Sequence, residues 1–212
     1  MIEVGDELSI AARMRQIGPA SRELMREISE TRWNYYASYV TDFICPFLFI
    51  YLGMGHGVGR AAMIAGVVSG VVTFTLIEYS IHRWMLHDPN NVLYPLHEVH
   101  HNEPERPSAF LFPTSIVVLG LVWLVFAKGL HLPSLSFFIA GIAAGYCYFG
   151  AIHHLEHSIR INQIPWRWMQ KRWAAHSVHH RLNQNNFGVM TSFWDHVFGT
   201  QMKPGKNPRQ RA

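Results

Sequence analysis

The segments "HRWMLH" at 82–87, "HEVHH" at 97–101, "HHLEH" at 153–157 and "HSVHH" at 176–180 hold most of the fourteen histidines of this chain. Neutral imidazole is a ligand for iron, zinc and copper. Residues three and four apart share a helix face. On that spacing His97, His100 and His101 are able to converge on one point, and so are His176, His179 and His180, and His153 with His157. His82 and His87 are five apart, about 140° around an α-helix. They meet if the helix ends between them, and the "HDPNN" beginning at His87 favours an end there. One structural zinc takes four ligands. Ten imidazoles suit two metal ions with about five ligands each, leaving coordination positions for oxygen species. Iron fits a redox task, because zinc has no redox chemistry. His56, His131 and His196 are read as ordinary interfacial or surface residues. His154, about 100° from the face of His153 and His157, is read as a neighbour of the site.

Such clusters need elements to hold them, and composition says which kind. Hydrophobic residues are 49% of the 212 residues and charged residues only 15%, well under the roughly 25% of an average soluble domain. Four apolar runs stand out, at about 33–55, 58–80, 109–130 and 133–155. Each approaches the roughly 20 residues that cross a bilayer as a helix. The expected fold is therefore all-α: an integral membrane protein with about four transmembrane helices and a cytoplasmic, histidine-rich helical cap holding a dimetal site. The first run contains Asp42 and Pro46, so it is either a tilted span or a re-entrant segment. The third is interrupted by Pro113, which favours a later start. Cys45 and Cys147 both sit in apolar runs, which argues against a disulfide scaffold.

The charges orient this picture. Arg60 and Lys128 lie in the short connections after the first and third runs. Arg83 and Arg106 lie in the 81–108 loop, and Arg160, Arg167, Lys171, Arg172 and Arg181 begin a basic stretch that continues to Arg211. The positive-inside rule places both termini, the 81–108 loop and the clustered histidines in the cytoplasm. Residues 1–32 mix acids and arginines without a basic start and apolar core, so they read as a polar cytoplasmic arm. Residues 33–200 form the membrane domain and 201–212 a basic tail. In "IPWRWMQKRW", Trp166, Trp168 and Trp173 suit a helix lying at headgroup level. The few basic residues follow this aromatic belt, which speaks against nucleic-acid binding. "GMGHGVG" at 53–59 reads as a tight turn.

Four spaced histidine clusters on four apolar runs resemble the fatty acid hydroxylase and sterol desaturase superfamily of membrane-embedded, non-haem diiron oxygenases. "HSVHHRLNQNNFGVMTSFWDHVFGT" and "HHNEPERPSAFLFPT" are most similar to its fatty acid 2-hydroxylase branch. The resemblance covers roughly residues 60–200. Carried over position by position, it implies metal ligation by His82, His87, His97, His100, His101, His153, His157, His176, His179 and His180. Asn186, Gly188, Trp194 and Asp195 match motif positions beside the site. Asp195 and Glu78, the latter four residues before His82, are candidate partners for a ligand imidazole, and Asn186 is a third supporting residue. Phe149 stands where that branch often carries a tyrosine.

The resemblance implies a pair of iron ions, which zinc is able to replace in isolated protein. It also implies O2 and hydroxylation of a C–H bond in a membrane lipid, a fatty acyl or sphingolipid chain first of all. Desaturation, or hydroxylation of a carotenoid or sterol, is the alternative within the superfamily. The sequence carries no nucleotide fingerprint, haem-attachment motif or iron–sulfur motif. Electrons are therefore expected from a ferredoxin or small cytochrome with its reductase. A non-catalytic metal-binding or metal-transport membrane protein is the reading from another class. Transport predicts ionisable groups lining a mid-membrane path, whereas the clusters here gather at one membrane edge.

Overall fold

The structure, a computed structural model, describes residues 23–91, 93–106 and 109–202. Among these the chain is helical throughout, with no strand. The expected arm over 1–32 and the tail over 201–212 fall largely outside the described residues. After a helical stretch over 23–29, the elements are α1 (Arg32–Gly53), α2 (Arg60–Ile81), α3 (Tyr94–Asn102), α4 (Thr114–Val122), α5 (Ser134–Ser158), α6 (Arg167–Leu182) and α7 (Phe193–Val197). Two π-helical turns, His82–Leu86 and Trp123–Lys128, extend α2 and α4.

Among the described residues, three helices are long and apolar enough to cross a membrane: Arg32–Gly53, Arg60–Leu86 and Ser134–Ser158. The first is one continuous helix despite Pro46, so it is not re-entrant. The third apolar run is shorter than the sequence suggests. It is helical only over Thr114–Lys128, roughly 22 Å at 1.5 Å per residue. The cause lies at its start. Pro113 offers no N–H, and a residue before proline is disfavoured in a helix. The carbonyls of Ala109 and Phe110 accept instead from the Asn34 side chain at 3.3 and 3.2 Å, and Phe112 N–H donates to Asn34 Oδ1 at 2.8 Å.

The same bonds tie the start of α4 to the start of α1. Tyr35 OH lies 2.8 Å from His154 Nδ1, and Tyr39 OH donates to the Gly150 carbonyl, so the end of α5 joins them. The first residues of α1 and α4 and the last of α2 and α5 therefore gather at one end of the bundle, with α3, α6 and α7 beside them. The turn at the opposite end uses Gly55 and Gly57 at φ of 81° and 72°, conformations that glycine adopts without strain.

Small residues set the packing. A Cβ on Gly70 would lie 2.1 Å from the Phe138 carbonyl, and one on Gly141 would lie 2.2 Å from that of Val67. Such contact holds α2 against α5 by van der Waals packing, as suits helices in lipid. Cys45 and Phe49 of α1 pack on Ile139, Ala140 and Ala143 of α5, with Leu119 and Trp123 closing the cluster. Meanwhile Phe43, Phe47, Val68, Val72, Leu121 and Val125 face outward. Large apolar side chains outside and small ones at the seam are the arrangement a bilayer permits. Trp166 and Trp168 are also exposed, as an interfacial helix requires, but Trp173 is buried. Its indole N–H donates to the Ile159 carbonyl, so it clamps α6 to the end of α5 instead of joining the belt.

Candidate metal centre

The ten clustered histidines meet as two groups of five: His82, His87, His97, His101 and His179, and His100, His153, His157, His176 and His180. Within each group one ring nitrogen from every residue lies within 4.8 Å of the others. Each group can hold a metal ion.

Local structure explains who joins which group. The π-helical turn His82–Leu86 replaces the α-helical period with an i→i+5 one, which makes His82 and His87 neighbours. On α3, His97 and His101 are one α-turn apart and stay together, while His100 points to the other side. On α6, His176 and His180 stay together and His179 crosses over. On helical spacing alone, all three histidines of each HxxHH motif converge on one point. The structure splits each motif two and one, because α3 and α6 both run between the two groups. The π turn then adds a pair to the first group, and His153 and His157 of α5 add a pair to the second.

The separations match a coordination shell. His82 and His97 Nε2 are 3.0 Å apart, His97 and His101 3.0 Å, and His87 and His179 3.2 Å. In the second group His157 and His176 Nε2 are 2.9 Å apart, and His176 and His180 3.1 Å. Metal–imidazole bonds of about 2.1 Å at right angles put ligand nitrogens about 3.0 Å apart. Burial holds these rings below their ordinary pKa, and neighbouring imidazoles add to the effect at each of them except His101. His87 falls to about 4 and His180 to about 3, and His97, His100, His101, His176 and His179 are also lowered. The rings are thus neutral, the form that binds metal.

Backbone carbonyls orient two of the rings. His82 Nδ1 meets the Phe187 carbonyl, and His179 Nδ1 that of Asn185 at 2.8 Å. The loop carrying both is held by the residues expected to touch imidazoles directly. Asp195 accepts from Phe187 N–H at 2.8 Å, Gly188 N–H at 3.0 Å and Thr200 Oγ1 at 2.7 Å. Glu78 accepts from Val189 N–H at 2.8 Å. Asn186 donates to the Ala175 and Met202 carbonyls and accepts from Met202 N–H. Gly188 is required there, since its Cβ would lie 2.2 Å from the Thr191 carbonyl. Asp195 and Glu78 therefore act one step further out than expected. Arg172, which donates to the Gly188 and Val189 carbonyls, and Glu156, 3.6 Å from His176 Nδ1, were not singled out by spacing. The "HHLEH" segment does carry a signal for Glu156, a carboxylate between histidines on an apolar helix. His56, His131, His154 and His196 lie outside both groups.

Two cavities reach the centre. One of about 140 Å³ touches His97, His100 and His153 and runs along Leu86, Leu96 and Phe149 to Tyr146 and Asp42. The other, of about 350 Å³, touches His100, His153 and His157 and is lined by Tyr35, His154, Glu105 and Arg106. An apolar approach and a polar approach thus meet at the second histidine group.

The family model for fatty acid hydroxylases matches residues 67–200, a stretch containing all ten histidines. The chain belongs to the fatty acid hydroxylase family. A dihydroceramide fatty acyl 2-hydroxylase of Arabidopsis thaliana is 30% identical over 60% of this chain and 56% of its own length. A ceramide very long chain fatty acid hydroxylase of Saccharomyces cerevisiae is 36% identical over 62% of this chain and 36% of its own. This family member therefore spans only about a third to just over half the length of those relatives. The hydroxylase domain of full-length Scs7p shares its fold, with a TM-score of 0.61 and 25% identity over 78% of this chain and 68% of that one.

Proposed function

We propose that this chain is a membrane-bound, non-haem diiron oxygenase that hydroxylates a C–H bond of a fatty acyl or sphingolipid chain, using O2 and electrons from a separate donor. The observation that carries this reading is the pair of five-imidazole groups opening onto an apolar cavity between membrane helices. An all-nitrogen donor set suits iron, copper or zinc and is foreign to magnesium or calcium. His100 supports the fit, since its Nε2 is buried without a hydrogen-bond partner. A bound pair of irons would supply the redox chemistry that inserts one oxygen atom of O2 into the C–H bond. The relatives named above are hydroxylases of fatty acyl and ceramide substrates, which supports a lipid.

The protein's own part is placement and exclusion. Leu86, Leu96, Phe110 and Phe149 line a slot that takes an acyl chain from the bilayer and keeps water from it. The polar cavity on the other side suits the head of the lipid or the passage of water and protons. Residues 33–200 form the hydroxylase domain in this reading. In this reading the histidine end, both termini and the donor's docking side are cytoplasmic, which the arginines and lysines after α2 and α5 support, and α4 is a short fourth crossing. The test uses protein in lipid nanodiscs, loaded with iron and supplied with O2 and a reduced ferredoxin. Mass spectrometry then follows acyl lipids. Gain of one oxygen atom is the expected result. Loss of two hydrogens would mean desaturation, and no lipid change with two metals bound would overturn the oxygenase reading.

A further inference from the structure

The two histidine groups are backed by different chemistry. In the first, His82 and His179 turn Nδ1 to the carbonyls of Phe187 and Asn185. In the second, His176 Nδ1 faces the carboxylate of Glu156 at 3.6 Å, with side-chain exposures of 5% and 1%. Neither oxygen of Glu156 has a hydrogen-bond partner, and neither does His176 Nδ1. A buried carboxylate and a buried ring N–H left without partners are both costly. Each is the nearest remedy for the other. Closing the gap to about 2.8 Å, the length of a charge-assisted hydrogen bond, needs only a small swing of the His176 ring.

We propose that Glu156 is a positioning residue that makes the two metal sites unequal. Its carboxylate accepts the Nδ1 proton of His176, which leaves Nε2 as the donor atom toward the second group. A carboxylate behind an imidazole makes it a more basic ligand than a peptide carbonyl does. The site of His100, His153, His157, His176 and His180 therefore holds its metal more tightly and is the more electron-rich of the two. It is also the site that both cavities touch. The sequence places the carboxylate well. Glu156 follows His153 by three residues on α5, so it shares the face that meets α6. The proposal rests on the ten histidines holding two metals.

The test is metal release from iron-loaded protein titrated with a chelator, with metal per chain read by elemental analysis. Wild-type protein is expected to release its irons in two steps. Glu156→Gln keeps the volume and loses the charge. It should weaken one step by roughly 10- to 100-fold and leave the other in place. Glu156→Leu should do the same or more. Steps that are unchanged in Glu156→Gln, or shifted equally, overturn the proposal. Mössbauer spectra of wild-type protein loaded with 57Fe are independent of any variant's folding. Two inequivalent iron signals support the asymmetry, and one signal overturns it. Wild-type protein that binds fewer than two metals would instead defeat the underlying two-metal reading.

Discussion

His176 and His179 stand one turn apart on α6 yet face different histidine groups. His176 Nε2 lies 2.9 Å from that of His157, and His179 Nε2 lies 3.2 Å from that of His87. One short helix thus fixes part of both sites and the distance between them. Each substitution should consequently empty a different site. His179→Ala is expected to lower bound metal from about two per chain to about one, and His176→Ala to remove the other. Both should cut activity by more than the roughly 100-fold known for supporting residues. Elemental analysis beside turnover checks this. Full metal content in either variant would refute that assignment.

Protonation gives a second outcome with a definite sign. Burial lowers the pKa of His87 to about 4 and of His180 to about 3, from an ordinary 6.5. Below 6.5 the unfolded chain takes up protons that the folded chain refuses. Stability therefore rises with pH in this window and falls as pH drops from 6.5 toward 4. Metal binding adds to the slope, because protons compete for the same nitrogens. Thermal unfolding of chelator-treated protein at pH 7.5, 6 and 5 should show a falling midpoint. A flat profile would mean the rings are not held neutral.

The sequence shows the helices and the histidine faces plainly, because a period of 3.6 and a rare residue type are both local. Assignment of each histidine to a metal is not local. It depends on α3 and α6 running between the two groups, so His100 and His179 leave their neighbours for the opposite site. The π turn that unites His82 with His87 has no residue signature. Trp173 looks like Trp166 and Trp168 in sequence, and only the end of α5 decides that it is buried. Asp195 and Glu78 announce themselves as carboxylates near ligands. That they bind backbone amides instead follows from a loop fold that spacing does not reveal.

That loop yields the next expectation. Asp195 is fully buried and accepts three hydrogen bonds, from Phe187, Gly188 and Thr200. Asp195→Ala orphans those donors at about 1–3 kcal/mol each in the worst case. Some relief will come from water, so a net loss of about 3 kcal/mol is expected, read as a lower unfolding midpoint. The Phe187 carbonyl should move with the loop and release His82. Metal affinity of the first group would then fall in Asp195→Ala while the second group keeps its metal. Equal loss from both groups would show a global collapse instead.

The apolar cavity carries the last expectation. Gly150 lies in its wall, and a Cβ there would meet Tyr39 no closer than 3.7 Å. Gly150→Ala therefore fits without strain and should leave fold and metal content unchanged. Gly150→Leu adds a bulky side chain to that wall, beside Tyr39. If an acyl chain occupies that space during turnover, kcat/KM should fall by about 10-fold or more, equivalent to about 1.4 kcal/mol of lost transition-state stabilisation. The loss should grow with acyl length, because a longer chain reaches further along Phe149 toward Tyr146. Turnover of a short and a long acyl lipid by the two variants, with metal content measured in parallel, separates a blocked slot from a damaged centre. Undiminished activity of Gly150→Leu on the long substrate would place the acyl chain elsewhere.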